Sequence, residues 1–289
     1  MIEAPASKSF TGTRPLPQKN RISPLVWMNL VCLDAPLVAV SWHWLFARSF
    51  GIKVPWGATA ALFLTSWLIY LADRFGDALS LGDTSRVSLR QAFCLRHRKL
   101  WTSALGVIAL ADFAMVATAL DPIATVIGAV VGLFAFVYLL INRVAPTAWR
   151  IVPLKEISIG FIFAAGTLVG LVRGLTSAVL PVWLLFAMLC ALNCISIAVW
   201  ERELDVAQGR ISIATELSNV SRWLLPALVL IAVSAAAVAF SSPSLGVALS
   251  TSAVLLALVH LRRESIQPDV RTALADLVLL TPLAALAFG

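Results

Sequence analysis

Nine apolar runs, each closed by charge or proline, divide the chain at about 25–46, 55–72, 101–119, 122–141, 151–172, 181–200, 223–240, 244–261 and 272–289. Each is long enough to cross a hydrocarbon core as a helix, which takes about 20 residues. Two junctions are tight. Asp121-Pro122 and Ser241-Ser242-Pro243-Ser244 join proline to small polar residues and predict hairpins with almost nothing outside the membrane. The connections 73–100 and 201–222 are long and charged, with room for a short helix in each. The expected fold is all-α, with nine transmembrane helices in residues 25–289 behind a polar tail, residues 1–24.

Composition supports this picture. The chain is 60% apolar and 13% charged, where soluble domains carry roughly a quarter charged residues. A mean hydropathy of +0.91 excludes a disordered chain and a soluble enzyme with a single anchor. The pI near 9.7 reflects loops held on an anionic membrane face rather than a nucleic-acid platform, because aromatic and basic residues do not interleave in any loop. Of the four cysteines, Cys32, Cys190 and Cys194 fall inside apolar runs and Cys94 does not, which implies neither a disulfide framework nor a metal framework.

Lysine and arginine give an independent check on the span count. With nine crossings, nineteen of them fall on one side: Lys8, Arg14, Lys19 and Arg21 in the tail, six from Arg74 to Lys99, then Arg143, Arg150, Lys155, Arg202, Arg210, Arg222, Arg262, Arg263 and Arg271. Only Arg48, Lys53 and Arg173 fall opposite. One missed helix would invert every later loop. The expected orientation is N-terminus cytoplasmic and C-terminus outside, in a bacterial-type inner membrane.

Chemistry is expected at the cytoplasmic helix ends. Asp73 and Asp77, four residues apart after the second run, share one helical face, and Glu201 and Asp205 repeat the spacing after the sixth. Like charges at that spacing repel unless something positive lies between them, and two facing carboxylate pairs suit Mg²⁺. Solvated acids at helix ends are the plainer alternative, and Glu203 and Asp83 fit it.

The segment Glu201-Arg202-Glu203-Leu204-Asp205, with Gly209 and then Ser212, resembles the second signature of the UbiA superfamily of intramembrane prenyltransferases. Asp73-Arg74-Phe75-Gly76-Asp77 resembles the second half of the first signature, and Pro153-Leu154-Lys155 leading into Gly160 is similar to a lysine-bearing stretch of the fifth helix. The chain departs from the family in several places. Ile69-Tyr70 stands where the first signature has Asn-Asp, Glu156 where arginine is usual, and Glu201 where aspartate is usual. Arg96-His97-Arg98-Lys99-Leu100 occupies the region of an expected Arg-Pro-Leu.

The resemblance implies a nine-helix bundle that ionises a polyprenyl diphosphate and hands the allylic cation to an aromatic or other lipophilic acceptor. It assigns Asp73, Asp77, Glu201 and Asp205 to Mg²⁺ and Lys155, Arg74 and one or more of Arg96, Arg98 and Lys99 to phosphate, with the prenyl chain between helices and open to lipid. For Arg74 and Arg202 a counter-ion role stands beside phosphate contact, and Lys155 also reads as an ordinary positive-inside lysine. Asn193 could reach the chamber or glue helices together. Asp34, Asp112 and Asp276 lie within spans, where acids are costly. They allow an ion-coupled transporter as an alternative, and the departures allow a non-catalytic lipid-binding relative. A cyclase or lyase would need no acceptor.

Overall fold

The computed structural model describes residues 23–81, 86–151 and 154–287, and every regular element among them is helical. The basic residues expected in the N-terminal tail, together with Asp83 and Pro153, lie outside the described residues. In chain order the helices are α1 (Pro24–Leu30), α2 (Asp34–Ser49), α3 (Trp56–Leu79), α4 (Leu89–Arg96), α5 (Arg98–Ala119), α6 (Pro122–Val144), α7 (Ala148–Ile151) and α8 (Lys155–Leu168). They continue with α9 (Val179–Ala207), α10 (Ile213–Glu216), α11 (Val220–Val238), α12 (Pro243–Leu261), α13 (Pro268–Leu277) and α14 (Thr281–Ala287). Single 3-10 turns follow α8, at Val169–Leu171, and α13, at Val278–Leu280.

Five helices, α5, α6, α9, α11 and α12, are long and apolar enough to cross a membrane, and α1 with α2 makes a sixth if the bent pair is one span. Their outward faces are greasy: Leu110 and Phe113 on α5 are 74% exposed, and Phe240 beyond α11 is 95% exposed. Water would not tolerate so much contiguous apolar surface, whereas lipid does. The other three predicted runs are helical but differ from simple spans. Trp56–Leu79 has the length but carries Thr, Ser, Trp and Tyr along it, Lys155–Leu168 is 14 residues, and the last run is interrupted by its 3-10 turn.

The first run is not one helix. Cys32 adopts φ +57°, and α1 and α2 meet at 92°. The Leu33 N–H donates to the Met28 carbonyl and the Cys32 N–H to that of Asn29, the paired closure that ends a helix on a left-handed residue. Elsewhere the chain signals read true. Asp121 accepts from the Ile123 and Ala124 N–H groups and Pro122 opens α6, so the hairpin is as tight as its sequence predicts. Arg173 donates to the same Asp121 carboxylate at 2.8 Å, holding that acid below its ordinary range. Short helices, α4 and α10, occupy both long connections. The helices carrying the acid pairs run past their apolar stretches, to Leu79 and Ala207, so all four acids sit on regular helix.

Helix contact is set by small residues. A Cβ on Gly160 of α8 would stand 2.5 Å from the Ala191 backbone nitrogen of α9, and one on Gly246 of α12 2.4 Å from that of Ala239. Without a hydrophobic drive between helices in lipid, such close backbone approach is what binds them. Trp42 of α2 stacks on Phe186 of α9 with ring centroids 4.3 Å apart, and its Nε1 donates to the Leu279 carbonyl, anchoring the last 3-10 turn.

Gly160→Ala is therefore expected to destabilise the protein by about 1–3 kcal/mol through overpacking against α9. Gly106→Ala, where an added Cβ meets nothing within 4 Å, should leave stability unchanged or slightly raised. Thermal unfolding of the two variants in detergent measures the difference.

Candidate functional site

A cavity of about 570 Å³ lies between α2, α3, α5, α6, α8, α9 and α13, within the range of ligand pockets. Its wall follows α3 from Ala58 to Asp77, a rise of about 28 Å. The Ala58 end is lined by residues such as Val116, Leu120, Gly128 and Val169. Midway, the Thr65 hydroxyl donates to Asp112 at 2.7 Å. At the Asp77 end the lining becomes ionic, with Asp73, Arg74, Asp77, Arg90, Lys155, Glu156, Glu201, Asp205 and Arg210.

Both acid pairs reach this end because each helix runs past its apolar stretch. Glu201 is gripped by Arg90 of α4, whose Nη2 lies 2.7 and 2.6 Å from its two oxygens, and it also accepts from Thr272 at 3.0 Å. Asp77 is paired to Arg210, with Nη1 to Oδ2 at 2.8 Å and Nη2 to its backbone carbonyl at 2.8 Å. Arg210 arrives there because Gly209, at φ +64°, reverses the chain after α9, with the Arg210 N–H closing on the Asp205 carbonyl at 2.8 Å. Asp73 receives only a long contact from Asn142, 3.3 Å, so Asp73 and Asp205 keep carboxylate oxygens outside any ion pair among the described residues. Lys155 opens α8 close enough to act electrostatically on both, and it too makes no ion pair among the described residues.

Seven of the eleven residues expected at the site line the cavity: Asp73, Asp77, Glu201, Asp205, Lys155, Arg74 and Asn193. Arg74 bonds the hydroxyl of Tyr70 and lies over that ring, 4.8 Å from its centroid. The other four point elsewhere. Arg96, Arg98 and Lys99 are exposed around the α4–α5 corner. Arg202 donates to the Ala214 carbonyl at 2.8 Å and lines a separate cavity of about 220 Å³. Glu203 is exposed.

Arg90, Arg210 and Glu156 carry roles that their sequence positions did not announce. Arg90 stood among six basic residues of one connection, and only the Ser88–Gln91 capping box marks where its helix begins. Glu156, in place of the arginine usual in the resembling family, is buried and accepts the Ile213 N–H at 3.1 Å, tying α10 to α8. Among the described residues, three buried polar atoms on lining residues lack a protein partner: Arg90 Nη1, Glu156 Oε2 and Asn193 Oδ1.

As a metal site the arrangement is open. Among the described residues no three His, Cys, Asp or Glu side chains gather as a cage, and guanidinium groups already hold two of the four carboxylates. Asp73 and Asp205 remain, and one or two carboxylates completed by substrate phosphate are how Mg²⁺ is commonly held. A divalent cation held by either of them would need oxygens from a bound ligand to complete its shell.

Glu201→Gln should lower stability by about 1–3 kcal/mol by leaving Arg90 uncompensated, and Arg90→Gln with Glu201→Gln should lower it less than the two single losses added. Unfolding midpoints of the four proteins give the coupling. No family model matches the chain, and no curated protein does either.

Proposed function

We propose that the chain is an intramembrane transferase of UbiA-like type that ionises a prenyl diphosphate and passes the prenyl group to a lipophilic acceptor. One observation carries this: two acid pairs 128 residues apart in sequence, with Lys155, Arg90 and Arg210, line one end of a cavity whose remaining length is largely apolar. An isoprenoid chain suits the apolar length and a diphosphate the ionic end. In the proposed topology α1 with α2, α3, α8 and the interrupted last run join the five clear spans to make nine crossings. The ionic end then faces the cytoplasm, as the lysine and arginine distribution suggests.

Each side chain has a task in this scheme. Lys155 and Arg90 attract the diphosphate, and Arg90 has an Nη1 without a partner among the described residues to offer it while its Nη2 stays on Glu201. Asp73 and Asp205 are the residues that would hold Mg²⁺. When bound, Mg²⁺ withdraws the charge that develops on the departing diphosphate. Arg210 keeps Asp77 neutralised and closes the end of the cavity across α3 and α9. The apolar walls keep water from the allylic cation.

Diphosphate release from labelled geranylgeranyl or farnesyl diphosphate by the protein in vesicles tests the assignment. The expected result is release that EDTA abolishes and that Asp205→Asn or Asp73→Asn lowers at least a hundredfold, the usual scale for removing one electrostatic contact to a leaving group. Release that survives EDTA would refute the metal-dependent scheme. Tight binding of the diphosphate with no release would favour a non-catalytic lipid-binding protein instead.

A further inference from the structure

Deeper in the same cavity, away from its ionic end, a second polar group is built into the wall. Asn193 of α9 is 5% exposed and lines the cavity. Its Nδ2 donates to Asp276 Oδ1 of α13 at 3.0 Å, and its Oδ1 has no partner among the described residues. The amide orientation is fixed by this bond, since turning it would set the amide oxygen against a carboxylate oxygen. Asp276 Oδ2 and Asp34 Oδ2 share the Nδ2 group of Asn29, at 3.3 and 2.5 Å. The bend at Cys32 permits this sharing by bringing the end of α1 and the start of α2 to one point.

We infer that Asn193 and Asp276 form a subsite for a neutral lipophilic molecule bearing a hydroxyl group, its O–H donating to Asn193 Oδ1. A buried acceptor without a donor is costly, whereas Asn193 Nδ2 and both Asp276 oxygens have protein partners. The atom awaiting a donor is a neutral amide oxygen and Arg74 lines the same cavity, so a neutral O–H answers it without bringing a second cation beside that guanidinium.

The position suits a second substrate, a role that depends on the transfer proposed above. Gly160 packs on Ala191, and α8 and α9 are joined as a hairpin, so Lys155 stands about level with Ser196. Asn193 is then only about 4.5 Å further along the axis, so a hydroxyl held there leaves the body of a small ring or chain beside the ionic end.

Binding of 4-hexylphenol, its methyl ether 4-hexylanisole and the cationic 4-hexylbenzylamine to the full chain in nanodiscs, without any diphosphate present, tests the subsite. Wild-type protein is expected to bind the phenol roughly tenfold tighter than the ether, the worth of one buried hydrogen bond. Asn193→Leu should bring the ratio to about one, and Asn193→Ala serves if leucine prevents folding. Equal wild-type binding of phenol and ether, a preference that survives both substitutions, or tightest binding of the amine would each overturn the inference. Diphosphate release is measured with no phenol present, so failure of the subsite and failure of the transferase assignment are separate results.

Discussion

Carboxylates at the edge of an apolar bundle must be compensated, and here the compensation crosses the chain. Glu201 on α9 is neutralised by Arg90 on α4, and Asp77 on α3 by Arg210 beyond α9. Each pair therefore joins the first part of the chain to the second at the ionic end of the cavity. Breaking one partner leaves a charge where water cannot fully reach it, which costs more than the pair itself contributes. The same two bonds decide which acids stay available: the pairs use Glu201 and Asp77, leaving Asp73 and Asp205 for whatever enters.

Much of the helical layout was legible because apolar runs and breakers carry it. Pro122, Pro243 and Asp121 mark real helix starts, and both long connections hold short helices. The bend at Cys32 was not legible. It depends on a non-glycine residue taking a left-handed conformation, and the nearest breaker, Pro36, sits in the first turn of α2 rather than at the bend. The apolar runs close at 72 and 200, while the i, i+4 spacing of the acid pairs already carries both helices past those points. A hydropathy reading stops at the first charge, whereas a helix continues as long as its charges find partners.

Site residues divided along a similar line. On the two long helices, where helical period fixes the facing, Asp73, Arg74, Asp77, Asn193, Glu201 and Asp205 line the cavity. Those in connections do not follow sequence order: Arg96, Arg98 and Lys99 turn outward while Arg90, one helical turn or more earlier, turns in. Periodicity cannot rank basic residues on an eight-residue helix whose docking is set by α3 and α9. Arg202 illustrates the complement. It follows Glu201 directly, and adjacent residues on a helix face about 100° apart, so one acid in the cavity sends its neighbour to Ala214.

Formal charge at the ionic end constrains any ligand further. Asp73, Asp77, Glu156, Glu201 and Asp205 stand against Arg74, Arg90, Lys155 and Arg210, a near balance of acids and bases. A neutral lipid meets no electrostatic barrier there and has no reason to stop. A diphosphate entering alone would add negative charge to a site with no cationic surplus, in surroundings where the cost of imbalance is high. Divalent cations entering with the diphosphate would offset its charge, one of them in part and two more fully. The near-neutral mouth thus favours a ligand that brings its own counter-charge.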